Sequence, residues 1–207
     1  MDKRLGRALA LSVLAGLALA VFGSVPATAR DKQICNGAMT GKINGGLLVP
    51  SGDSCTLTDA TVNGGMDVEG GQINIHNSVI NGGLFINNLF GNNPVCSTEL
   101  DGGVTVTNIT TGAVLAIGES NNFFGGSCPG GTINGDTDVV NNPMGGNLEI
   151  DGYLIHGHLQ WINSTSYGEL EGDTVKGGAT CQNSFFVIND GDGGPNSYTG
   201  PNNGCPA

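Results

Sequence analysis

Three phrases decide the fold: Ile43-Asn44-Gly45-Gly46-Leu47-Leu48-Val49, Val62-Asn63-Gly64-Gly65-Met66-Asp67-Val68 and Ile80-Asn81-Gly82-Gly83-Leu84-Phe85-Ile86. Their first glycines, Gly45, Gly64 and Gly82, return after 19 and then 18 positions. A unit near twenty residues is too short to bury its own apolar side; it does so by stacking on copies of itself, which makes a solenoid. Inside each unit apolar residues alternate with polar ones, as in Met66-Asp67-Val68-Glu69, Ile73-Asn74-Ile75-His76 and Val104-Thr105-Val106-Thr107. Period two marks strands with one buried face. Between Gly45 and Gly64 three short strands fit, near 47–49, 55–58 and 61–62. The expectation is an all-β, single-domain parallel β-helix with about 19–22 residues per coil and rungs ~4.8 Å apart.

The phrase recurs downstream at Leu100-Asp101-Gly102-Gly103, Ile133-Asn134-Gly135-Asp136, Met144-Gly145-Gly146-Asn147, Ile155-His156-Gly157-His158 and Val175-Lys176-Gly177-Gly178. From Gly135 to Gly146 to Gly157 the step is 11, which places two phrases on different corners of one longer coil. Seven or eight coils result. The rhythm breaks near 87–98 and 125–131, where Gly, Pro and Asn replace Val and Ile; both read as loop insertions. The solenoid spans 30–189, and 190–207 reads as a C-terminal tail.

Lys3, Arg4 and Arg7 precede an apolar run from Ala8 to Phe22, and Ala27-Thr28-Ala29 has the pattern signal peptidase cleaves. Residues 1–29 therefore read as an export signal, and the product as secreted, with no membrane span in the mature form. Cleavage removes three of the 7 Lys+Arg and one of the 18 Asp+Glu. The acidic remainder makes nucleic acid and anionic lipid poor partners.

Six cysteines in an exported chain imply three disulfides. Cys35 and Cys55 are one coil apart and belong on adjacent rungs. Cys96 and Cys128 fall in the two breaks, and Cys181 with Cys205 ties the tail to the last coil. Bonds at both ends cap the exposed strand edges of a solenoid.

His156 and His158 share a strand face and are metal-ligand candidates, although they occupy corner positions of the phrase. Asp190-Gly191-Asp192-Gly193 offers a fragment of a calcium loop through Asp190 and Asp192, without the closing Glu. Calcium is the one cofactor considered. Carboxylates recur two apart as Asp67/Glu69, Asp136/Asp138, Glu149/Asp151 and Glu169/Glu171, so both members of each pair are expected on a solvated outer face. No catalytic residue is assigned. Tyr153, Trp161 and Tyr167 fall in the same late coils and, if all face outward, form a platform for sugar rings; Trp161 is equally in phase with the inward Leu159.

Through the Ile/Val-Asn-Gly-Gly phrases, Cys55-Thr56-Leu57-Thr58 and the export signal, the chain resembles Gly- and Asn-rich secreted β-helix proteins of actinobacteria. The coil is also similar to that of bactofilins, which polymerise end to end in the cytosol; the signal and the cysteines depart from that pattern. Pectate lyases and polygalacturonases share the architecture, but His156-Gly157-His158 inverts the polygalacturonase Gly-His-Gly order, and fold does not carry activity. The sequence thus favours a non-enzymatic structural or surface-associated protein, with a neutral-glycan-binding module and a polysaccharide-active enzyme as alternatives. The partners considered are a cell-wall or extracellular glycan and a second copy of the chain.

Overall fold

A computed structural model describes residues 32–118, 127–142, 145–165, 167–186 and 194–207. Residues 1–29, read from the sequence as an export signal, lie outside them. The described residues contain no helix; they form a parallel β-solenoid of about seven turns. Each full coil has three sides. One wall, here the phrase wall, holds the strands that follow the Gly-Gly corner: Leu47–Val49, the start of Met66–His76, Leu84–Leu89, Val104–Thr107, Thr137–Val140, Leu159–Ile162, Ala179–Gln182 and Asn202–Asn203.

Registration is exact down this wall. Val49, Val68, Ile86, Val106, Val139, Trp161 and Cys181 stack as one inward column. All are buried, so the alternation seen in the sequence becomes a continuous apolar interior. The second wall repeats the device with Leu57, Ile75, Val95, Ile117, Ile150 and Leu170. Coil length drifts from 18 and 19 residues, the offsets of the stacked pairs Asn81/Asn63 and Asn63/Asn44, to 22 between Ser164 and Asn142. One coil is longer, with Asn142 lying 33 residues beyond Ile109, whose N–H it accepts.

Two segments differ from the sequence expectation. The supposed loop at 87–98 is ladder: Asn92–Cys96 pairs with both Ile75–His76 and Val114–Ile117. Its asparagines belong there because Asn93 is an interior cap. It accepts the N–H of Ile73 at 2.8 Å and donates to the carbonyls of Phe90, Gly91 and Val114, satisfying backbone groups that a coil corner would leave unpaired. The supposed tail is also partly ladder, with Ser197–Tyr198 and Asn202–Asn203 pairing in parallel with Thr174–Val175 and Ala179–Thr180.

The disulfides join the expected partners, Cys35–Cys55, Cys96–Cys128 and Cys181–Cys205, with Cα separations of 5.3, 4.7 and 4.9 Å. Cys96 ends a strand rather than lying in a loop, so the middle bond ties the ladder to the long coil. Such bonds form in an oxidising compartment. No helix among the described residues is long and apolar enough to cross a membrane.

The corner glycines separate two costs. Gly65 has φ +79°, and a Cβ there would stand 2.7 Å from the Gly82 carbonyl oxygen; Gly112 has φ +85° and nothing within 4 Å. Both pay for a left-handed backbone, but only Gly65 meets the next rung. Gly112→Ala is expected to cost about 1–2 kcal/mol. Gly65→Ala adds an overpacking term, for a total of about 2–5 kcal/mol. Urea unfolding of both variants checks this, and equal midpoints would contradict the stacking geometry.

Candidate functional site

The expected aromatic platform is not assembled. Trp161 sits in the inward column with Val139 and Cys181 and is 0% exposed, and Tyr153 is 1% exposed. Two features explain the inward indole. Gly168 has no Cβ, and one built there would come within 3.1 Å of the Trp161 ring, so glycine leaves the room the indole fills. Phe186 then packs on it at a centroid distance of 5.1 Å. Tyr153 is held by a hydrogen bond from its hydroxyl to the Val95 carbonyl, and burial pushes its phenol well above the ordinary value. Tyr167 alone of the three is exposed, at 48%, beside Phe185.

The histidines stay at a corner. His156 is exposed, while His158 directs its ring nitrogens to the Gly177 carbonyl and the Thr180 hydroxyl, each at 3.3 Å. Its backbone N–H donates to Asp136. Asp190 and Asp192 lie outside the described residues. Among the described residues no three His, Cys, Asp or Glu side chains are placed to hold a metal ion.

The carboxylate pairs divide. Asp67, Glu69 and Asp138 lie on the open phrase wall and Asp136 at the corner before it, all half-buried or exposed. Glu149, Asp151, Glu169 and Glu171 do not, being only 3–7% exposed, which overturns the expected solvated face. They do occupy outward-pointing columns, Glu149 over Glu169 and Asp151 over Glu171. Ala116 in the first of these columns is buried too, so this wall is covered where the phrase wall is open. Period two fixes a direction off the strand and not the exposure at its end.

Asp173, which no sequence pattern marks, is the most deeply buried carboxylate among the described residues. It sits at a corner where a ladder of side chains caps backbone N–H groups: Ser78 accepts from Ala60, Asp173 from Tyr153 at 2.7 Å, and Asn196 from Asp173 at 3.0 Å. Asn196 donates onward to the Leu170 carbonyl, whereas Asp173 Oδ2 is buried without a hydrogen bond. Burial raises the Asp173 carboxyl well above the usual range, and the nearby Asp151 charge adds to the effect.

On the open phrase wall the outward column runs Leu48, Asp67, Phe85, Thr105, Asp138, Gln160, Thr180 and Asn203. A second column runs Glu69, Asn87, Thr107, Val140, Ile162 and Gln182. Phe85 is 45% exposed, and Lys32 pairs with Asp67 at 2.5 Å. Around Phe85 the wall dips into a shallow groove of about 130 Å³ lined by Asp67, Glu69, Asn87, Thr105 and Thr107. Comparison with protein-family models, curated proteins and solved structures finds no match.

A carboxyl whose folded pKa is raised contributes stability that is complete below its unfolded value of about 3.9 and is lost as pH rises through the folded value. Asp173→Asn keeps the acceptor for Tyr153 and removes the titration. The variant is expected to be more stable than the parent at pH 7, with the gap closing toward pH 4. Thermal melts across that range read this out; a variant less stable at pH 7 would show that the ionised form is the one the fold prefers.

Proposed function

We propose that the protein is an exported, non-enzymatic, structural or surface-associated solenoid of the Gly- and Asn-rich β-helix kind that its repeat resembles. The observation carrying this reading is where the polar side chains go. Asn44, Asn63 and Asn81 bond rung to rung at 3.1 and 2.8 Å, and Asn141, Asn163 and Asn183 do so at 3.4 and 3.1 Å. Asn142 caps Ile109 and reaches Ser164 on the next rung. These groups build a stiff rod rather than converge on a reacting atom. Disulfides near both ends of the described chain support the same reading, because they pin the two places where a solenoid frays. The signal-like residues 1–29 and the disulfides together support export.

Expression of the full chain in a secreting bacterial host tests the proposal. The exported protein is expected to start near Arg30 by mass spectrometry and to lack free thiols. It should resist proteinase K until a reductant is added, and release no reducing ends from neutral or acidic polysaccharides between pH 4 and 9. Retention in the cytosol with residues 1–29 intact would sink the export reading, and release of reducing ends would sink the non-enzymatic one.

A further inference from the structure

We propose that the open phrase wall around Phe85 is a binding site for a neutral oligosaccharide chain. The proposal goes beyond the structural reading and does not rest on it. Phe85 is a large apolar side chain on an outward column, flanked on its own wall by Asp67 one rung before and Thr105 one rung after. The strand ladder fixes these neighbours ~4.8 Å apart across the rungs, and outward residues two apart ~6.6 Å along each strand. That grid matches one pyranose ring with its hydroxyls. An aromatic face takes the C–H side of the ring, and planar amides and carboxylates at its edge take the hydroxyls.

The polar groups are suited to this. Asn87 accepts from Asn108 with its Oδ1 at 2.8 Å, which leaves its amide N–H groups as donors beside Phe85. Glu69 supplies an acceptor. Thr107 donates to the Ile86 carbonyl at 3.3 Å, so its hydroxyl oxygen retains acceptor capacity on the groove floor. A second depression of about 380 Å³ adjoins the first through Glu69 and Asn87 and continues over Ser51, Asn88, Asn108 and Thr110. Together they give room for more than one residue of a chain, running from the Phe85 ring across to the asparagine corner.

Charge decides the class of occupant. Lys32 neutralises Asp67, so Glu69 carries the remaining charge among the groove's described residues. A polyuronate or sulfated glycan meets that carboxylate and an acidic chain of net charge −11. A cationic peptide finds a single carboxylate on an open surface, an interaction worth little and screened by salt. A neutral glycan uses the hydroxyl, amide and carboxylate groups without needing a counter-charge.

Isothermal titration of the mature protein with cellohexaose, mannohexaose, chitohexaose, hexagalacturonate and pentalysine tests the assignment, in 0.05 and 0.5 M NaCl. At least one neutral hexaose is expected to bind with a Kd on the order of 0.1–1 mM, equally at both salt concentrations. Phe85→Ala should weaken it by about tenfold or more. Tyr167→Ala, on another wall, should bind as the parent does. Phe85 lies on the outer wall and outside the core, so its variant is expected to fold; an unchanged melting curve verifies this, and Asn87→Ala gives a second reading of the same groove. The proposal is overturned if no neutral hexaose binds, if only pentalysine or hexagalacturonate does, or if Phe85→Ala binds like the parent.

Discussion

Everything in this molecule depends on how closely one backbone corner can lie on the next. Hydrogen-bonded parallel strands set the rung spacing at ~4.8 Å, and at the Gly-Gly corners that spacing leaves no volume for a side chain. A Cβ at Gly46 would lie 2.7 Å from the Gly64 carbonyl oxygen, one at Gly103 2.3 Å from that of Asp136, and one at Gly157 2.3 Å from that of Gly135. The glycines are therefore a packing requirement between coils as much as a dihedral one within a coil. Once the corners nest, the register of every following strand is set, and like residues fall on like.

Stacking of like on like has opposite consequences for different side chains. Apolar columns gain from it, because each methyl group finds a neighbour above and below. Asparagine gains as well, since its amide donates to one neighbour and accepts from the other. A carboxylate has only acceptors when ionised, so it cannot continue a ladder that asks for both roles. Asp173 is the place where this rule is broken: its Oδ1 serves the Tyr153 N–H and its Oδ2 is left over. Burial raises its pKa by disfavouring the charged form, and the nearby Asp151 charge adds to the effect.

The same logic explains what the sequence could and could not reveal. The phrases around Gly45, Gly64 and Gly82 were legible because the first corner position leaves no room for a side chain, as at Gly64, Gly82, Gly135 and Gly157, whereas the second also takes Asp136 and His158. Cys35–Cys55 was legible because coil length converts a separation of 20 into spatial adjacency, whereas Cys96–Cys128 joins the expected partners although Cys96 is ladder rather than loop. Residues 87–98 misled because Asn and Pro usually signal loops. In a solenoid, Asn88 with φ +68° turns a corner, as Asn108 and Asn141 do on later rungs, and Asn93 caps the interior. The aromatic platform misled for a different reason: Trp161 fits inside only because Gly168, seven residues later and on the next wall, lacks a side chain. No local period carries that relation.

The open wall also bears on what kind of function a rod of this sort can have. A surface that recognises a lattice needs the same chemistry on every rung, and the Phe85 column changes from Leu48 to Asp67, Phe85, Thr105, Asp138 and Gln160 as it descends. The inward columns, which the fold constrains, stay apolar over the same rungs. Outward positions are free of the stacking rule that governs the interior, so their variation is not dictated by folding. Phe85 is 45% exposed, with one ring edge lying against the Gly83 corner and the rest open on the wall. The open part of that ring is the part that the proposed glycan contact would use, and the fold leaves its identity free.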